Sequence, residues 1–264
     1  MLTTAVCELV DQDKMALRTK QDEIDRVLDF KTRVGLAKQL FNDKSRVLFS
    51  RVRAALAVAS GDLVRCGYCE DSCADEVEHV WPKNFYPGRT FDHSNYMFVC
   101  GICNPAKNDK FSVRCEGEWL DLPTQRKVVG FVDPLSTESR FIDPLSEDPL
   151  DFLWLDILAG TFMIVPIHDP GTLEYERADY TINVLRLNKE DLVEARKNAY
   201  TGFCDRMHRY VDCKLSGEGQ PQLDHRLLEL RRAPHQTVRK EMQRQSGVLD
   251  APHPAIESAL EVFS

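Results

Sequence analysis

Nowhere in these 264 residues does an apolar run approach the roughly 20 residues that a bilayer-spanning helix needs. The opening MLTTAVCELVDQDK places acids where a secretory signal carries a basic and then an apolar stretch, and so predicts a cytoplasmic protein. There is no GxxxxGK and no GxGxxG, which excludes the common ways of binding a nucleotide as fuel. HExxH and GxSxG are missing too, and with them the usual metalloprotease and serine-hydrolase signatures. No internal repeat, low-complexity tract or long linker interrupts the chain.

What is present is the composition of a globular protein, 43% hydrophobic and 29% charged, long enough to bury one substantial core or two to three small ones. The net charge of −8 is unevenly spread. Residues 31–60 carry Lys31, Arg33, Lys38, Lys44, Arg46, Arg51 and Arg53 against Asp43 alone, whereas residues 116–176 carry 13 acids against Arg126, Lys127 and Arg140. Phosphate affinity follows the local patch and not the sum, so the basic segment is either a nucleic-acid contact or a solvated face.

Nine cysteines in a reducing compartment favour metal ligation over disulfides. Four of them form two Cys-x-x-Cys knuckles, Cys66/Cys69 and Cys100/Cys103, and each pair can wrap one side of a tetrahedral zinc. Cys73 is a rival ligand with poorer spacing. Like Cys7, Cys115, Cys204 and Cys213, it is expected to be a small buried hydrophobe.

The filling between the knuckles is unusual for a structural ribbon. Phosphodiester hydrolysis needs a water, a base for its proton, and positive charge on the phosphoryl and leaving oxygens. Glu78 and the side-chain oxygen of Asn104 suit a hard divalent ion such as Mg²⁺ or Mn²⁺, leaving His79 free as the base. Zinc on the cysteines would be structural and distinct from that ion.

Helical spacing recurs between residues 15 and 60: Ile24, Val27 and Leu28 form one stripe, Val34, Leu36, Leu40 and Phe41 a second, and Val47, Leu48, Val52, Leu56 and Val58 a third. Two or three amphipathic helices are expected, with a break at 42–45 and a stop at Gly61-Asp62. Tyr96–Val99 reads as a strand entering the second knuckle, and residues 104–110 as a short helix leaving it. Turns at Asp133-Pro134, Asp143-Pro144 and Asp169-Pro170 punctuate short strands or buried loops over 116–188. Asn188 is expected to cap a long helix over 189–210, with further helices at 223–230, Gln236–Gln245 and 254–262.

On these residues the chain resembles the HNH endonuclease family, the ββα-metal or His-Me finger group, in its cysteine-stapled branch. The match is Glu78-His79-Val80-Trp81-Pro82 after the first knuckle, Asn95 in the middle, and Cys103-Asn104-Pro105-Ala106-Lys107 at the second. The resemblance implies Glu78 and Asn104 as ligands of a catalytic ion and His79 as general base. It implies Asn95 as the residue that pins the loop and orients the histidine, and Lys107 as a phosphate neighbour. Lys83, Arg89 and Lys110 are further phosphate contacts or merely solvated, and Trp81 is a base platform or a piece of mini-core. His93 could replace Asn95 but falls off the pattern. Glutamate stands where aspartate is common, and asparagine replaces the final histidine.

The fold class implied is α+β: an N-terminal helical segment over 1–62, a zinc-stapled ββα-metal core over 63–115 and a mixed, mainly helical domain over 116–264. The later order of features, ADYTINVLRLN followed by a helix carrying Arg196, is similar to HNH proteins of Septu-type and retron-associated anti-phage systems. That likeness implies a separate ATPase partner. Two other readings stay open, a zinc-ribbon module that binds nucleic acid or protein without cutting, and a nuclease active only within a complex. DNA is the favoured substrate, with RNA possible.

Overall fold

The structure is a computed structural model and describes residues 1–61, 64–122 and 138–245. It is an α+β protein. Three helices come first, α1 (Asp11–Asp25), α2 (Phe30–Asn42) and α3 (Arg46–Ala59). Asp29 caps α2 by accepting from the Thr32 amide at 2.8 Å, and Ser45 caps α3 by accepting from Leu48 at 3.3 Å. The expected break at 42–45 is the α2–α3 corner. The stripes need correction: α1 ends before Val27, and Leu28 is 95% exposed in the following turn. On α3 the inward face is Leu48, Phe49, Val52 and Leu56, while Val47 and Val58 point outward.

Next come β1 (Glu76–His79) and β2 (Tyr96–Val99), paired antiparallel with Glu78 opposite Met97 and His79 opposite Tyr96. All four residues of β2 are buried, and they alternate between two cores. Tyr96 and Phe98 pack with Phe41, Phe49, Val52 and Leu56 of the N-terminal helices. Met97 and Val99 pack with the cysteine knuckles, Trp81 and apolar residues of the C-terminal half. The clusters therefore run across both expected joins, 62/63 and 115/116. Phe49 is 1% exposed and sits edge-on to Phe41 at 5.3 Å. Phe49→Ala is expected to cost about 3–5 kcal/mol in chemical denaturation, with the midpoint shifted at unchanged slope.

After β2 the chain forms α4 (Cys103–Lys107), shorter than expected, then the hairpins β3 (Ser112–Cys115) with β4 (Glu118–Asp121), and β5 (Leu153–Leu155) with β6 (Ile164–Pro166). Helices α5 (Leu173–Leu185), α6 (Glu190–Leu215), α7 (Gln220–Arg231) and α8 (Gln236–Gln245) complete the described chain. The sequence pattern had suggested strands or loops where α5 lies; Thr172 caps it and Arg186 closes it in a left-handed conformation at φ 52°. Asn188 does not cap α6. Its amide clamps the β6 backbone instead, accepting from Ile164 N at 2.8 Å and donating to Ile164 O at 2.7 Å, and so satisfies a strand edge. Asp62, Asp133-Pro134 and the expected helix at 254–262 lie outside the described residues. No helix among the described residues is long and apolar enough to cross a membrane.

Candidate metal centre and adjoining polar site

The first knuckle is a tight turn held against β2, with Gly67 N donating to Phe98 O at 3.0 Å. A Cβ at position 67 would collide with the buried Met97 thioether, so glycine permits this approach. Cys100 leaves β2 and Cys103 opens α4, and the Cys103 amide donates to the Cys100 sulfur at 3.4 Å. The four sulfurs lie within 4.8 Å of one another, all buried, with Cys69 and Cys100 4.0 Å apart. Tetrahedral zinc with bonds of about 2.3 Å would set sulfurs about 3.8 Å apart, so the set fits such an ion. Glu70, just past the first knuckle, accepts from the Thr237 amide at 2.9 Å and ties this turn to the start of α8. Cys7 and Cys213 are buried as expected and Cys115 and Cys204 half-buried, but Cys73 is exposed and outside the cluster.

His79 and Glu78 are adjacent on β1, so their side chains leave opposite faces. His79 is 4% exposed and packs edge-on against Phe41 at 4.7 Å and Tyr96 at 5.2 Å. Burial, with Lys83 next and then Lys107 and Lys44, pulls its pKa down to about 3, so the imidazole is neutral at working pH. Its Nε2 lies 2.9 Å from Thr90 O. A carbonyl oxygen only accepts, so Nε2 carries the proton and Nδ1 keeps a free lone pair.

Asn95 holds the surrounding loop. Its Oδ1 accepts from Trp81 N at 2.8 Å, and its Nδ2 donates to Trp81 O at 3.0 Å and to Arg89 O at 3.2 Å, one residue before Thr90. The carbonyl that orients His79 is thereby fixed through Asn95. Tyr96 Oη donates to the same Thr90 O at 2.8 Å.

Glu78 is 7% exposed; burial raises its pKa, and Lys107 opposes that rise. Lys107 Nζ donates to Glu78 Oε1 at 2.7 Å and to His79 O at 2.9 Å, and its side chain is fully buried. The lysine expected beside a phosphate is thus inside the protein, because a buried carboxylate needs a cation. Asn104 does not meet Glu78. Its Nδ2 donates to Glu76 Oε2 at 2.6 Å. No motif singles out Glu76, but the alternation Glu76-Val77-Glu78 puts both acids on one face of β1 and is the signal that points to it.

The remaining residues divide by exposure. Lys83 is half-buried near Phe41, Lys110 is exposed with Nζ donating to Ala106 O at 2.8 Å, and the Arg89 guanidinium stacks on Trp81 at 4.4 Å. Trp81 is 7% exposed, edge-on to Tyr86 at 5.0 Å, and donates to Asp143 at 3.1 Å. It belongs to the mini-core and is no base platform. His93 is half-buried at the start of a short 3-10 turn that ends at Asn95.

No protein-family model matches this chain, and no curated protein matches it.

Proposed function

We propose that this protein is a metal-dependent endonuclease of the HNH type that hydrolyses nucleic-acid phosphodiesters, DNA in the first place and RNA as the alternative. The observation that carries this reading is the 2.9 Å contact between His79 Nε2 and Thr90 O: with Nε2–H donating to that carbonyl, the Nδ1 lone pair is left to accept a proton. Nδ1 takes a proton from the attacking water. The Thr90 carbonyl, accepting from Nε2–H, steadies the imidazolium that forms. Asn95 acts through the backbone around Thr90 as a positioning residue.

Glu78, Glu76 and Asn104 bring two carboxylates and an amide oxygen from β1 and α4, the donor chemistry a hard divalent ion takes. Lys107 Nζ bonds Glu78 Oε1 at 2.7 Å, so an ion taken by Glu78 would share that carboxylate with the ammonium or displace it. Glu78 and Asn104 would hold Mg²⁺ or Mn²⁺. When bound, such an ion supplies charge to the phosphoryl and leaving oxygens. The zinc on Cys66, Cys69, Cys100 and Cys103 is structural and fixes β2 and α4. The order of features after the core supports a role as the effector nuclease of an anti-phage complex under a separate ATPase, in the cytoplasm.

A second reading, a zinc-ribbon module that binds nucleic acid or protein without cutting, is favoured by two observations. The Lys107 ammonium occupies Glu78, and His79 is almost wholly enclosed. The assay that decides uses supercoiled plasmid and total tRNA with Mg²⁺ or Mn²⁺. The nuclease reading expects cutting that stops when the divalent ion is omitted. A folded, zinc-loaded protein that cuts neither substrate, with or without an ATPase partner, leaves the binding module.

A further inference from the structure

Three side chains meet on the ring of Phe41, in the last turn of α2. The His79 imidazole lies edge-on to it at 4.7 Å between centroids. Lys44 Nζ, from the α2–α3 corner, stands 4.3 Å from the same centroid, and Lys83 Nζ, from the loop after β1, stands 5.1 Å from it. Lys44 is held in place by donating to Phe41 O at 3.0 Å and by the Phe49 ring at 5.4 Å.

Both lysines are half-buried, and among the described residues neither is ion-paired with a carboxylate. The acid nearby, Glu78, is bonded by Lys107 instead. Burial, then Arg53 and Lys83, lowers the Lys44 pKa; burial, then Lys38 and Lys107, lowers that of Lys83 against the opposing pull of Glu78. Positive charge therefore converges from α2, α3 and the loop after β1 without a matching negative charge. Such a cluster is costly until an anion fills it, and a phosphodiester has oxygens that accept from two ammonium groups at once.

We propose that Lys44 and Lys83, converging on Phe41, cradle a backbone phosphate of the nucleic acid beside the one presented to His79. This rests on the reading of the site as one that takes a phosphodiester. It makes the N-terminal helices a wall of the substrate site and gives Lys83 a partner that neither knuckle spacing nor motif indicated.

The test is binding of a fluorescein-labelled DNA duplex and, in parallel, an RNA strand, without added divalent ion, followed by anisotropy between about 50 and 200 mM salt. Lys44→Ala and Lys83→Ala are each expected to weaken binding about five- to tenfold near 0.1 M salt and to lower the slope of log K against log salt by about one. Lys44→Arg should keep the native slope, as should Lys31→Ala, which removes an exposed charge from the same basic segment. Equal zinc content and melting temperature show that the variants are folded.

Unchanged slopes in both alanine variants overturn the cradle. If the native protein still cuts, the nuclease reading survives that failure. Lowered slopes in a protein that cuts nothing leave the cradle standing and remove the nuclease. A folded native protein that binds neither probe removes both.

Discussion

His79→Gln is expected to lower phosphodiester cleavage by about 10²- to 10⁴-fold, the range general-base catalysis contributes. Glutamine is chosen because its amide can still donate to Thr90 O, replacing the Nε2–H bond of 2.9 Å, while offering no basic nitrogen. Alanine is a poorer probe. The imidazole is 4% exposed and wedged between Phe41 and Tyr96, so alanine leaves a cavity and confuses packing with chemistry. The measurement is single-turnover cleavage of plasmid alongside zinc content and thermal unfolding. A glutamine variant that is folded, zinc-loaded and as fast as the native protein sinks the assignment of His79 as base.

Loss of the cysteine-bound metal is expected to have the largest effect on stability. Structural zinc contributes on the order of 10 kcal/mol to the folding of the units that bind it, comparable to the whole stability of an ordinary domain. Here the four sulfurs share one apolar cluster with Met97, Phe141 and Leu185, so the centre is continuous with the larger core. Cys100→Ser and prolonged treatment with a strong chelator should each abolish one equivalent of zinc per chain and broaden or erase the thermal transition. Cys73→Ser, at an exposed cysteine outside the cluster, should change neither. Metal-free native protein melting cooperatively at its original temperature would remove zinc from the account.

His79 and the cysteine set also show what the sequence made legible. Cys-x-x-Cys spacing is local chemistry, and it located the metal set while leaving Cys73 a rival that the structure places outside the cluster. Tyr96–Val99 was readable as a strand because a run of apolar residues enters a knuckle, and the break at 42–45 because the apolar stripes on either side of it are interrupted there. Facing was less legible. Leu28 and Val47 fit a helical stripe yet point outward, since the stripe does not say where a helix ends or which flank another element covers.

The candidate site divides in the same way. His79 and Asn95 sit in one hydrogen-bonded loop whose spacing the sequence carries. Glu78 and Asn104 do not touch, because the burial of Glu78 draws in Lys107 and leaves Asn104 to Glu76. Only the packing of α4 on β1 decides that pairing. Asn188 erred for a related reason: the backbone of β6 competed for its amide, and that strand is distant in sequence.

The alternation along β2 has a consequence for how the chain finds its place. A slip by one residue in the β1–β2 pairing would exchange the two faces, turning Tyr96 and Phe98 toward the cysteine side and Met97 and Val99 toward the helices. It would also carry Cys100 one step from Cys66 and Cys69. Apolar side chains alone discriminate poorly between these alignments, because all four positions are enclosed in either one. Four cysteine sulfurs converging on a single point tolerate only one of them. The cysteine centre is thus an index mark for the hairpin: it sets the phase of the strand, and through it the placement of Tyr96 and Asn95 around His79.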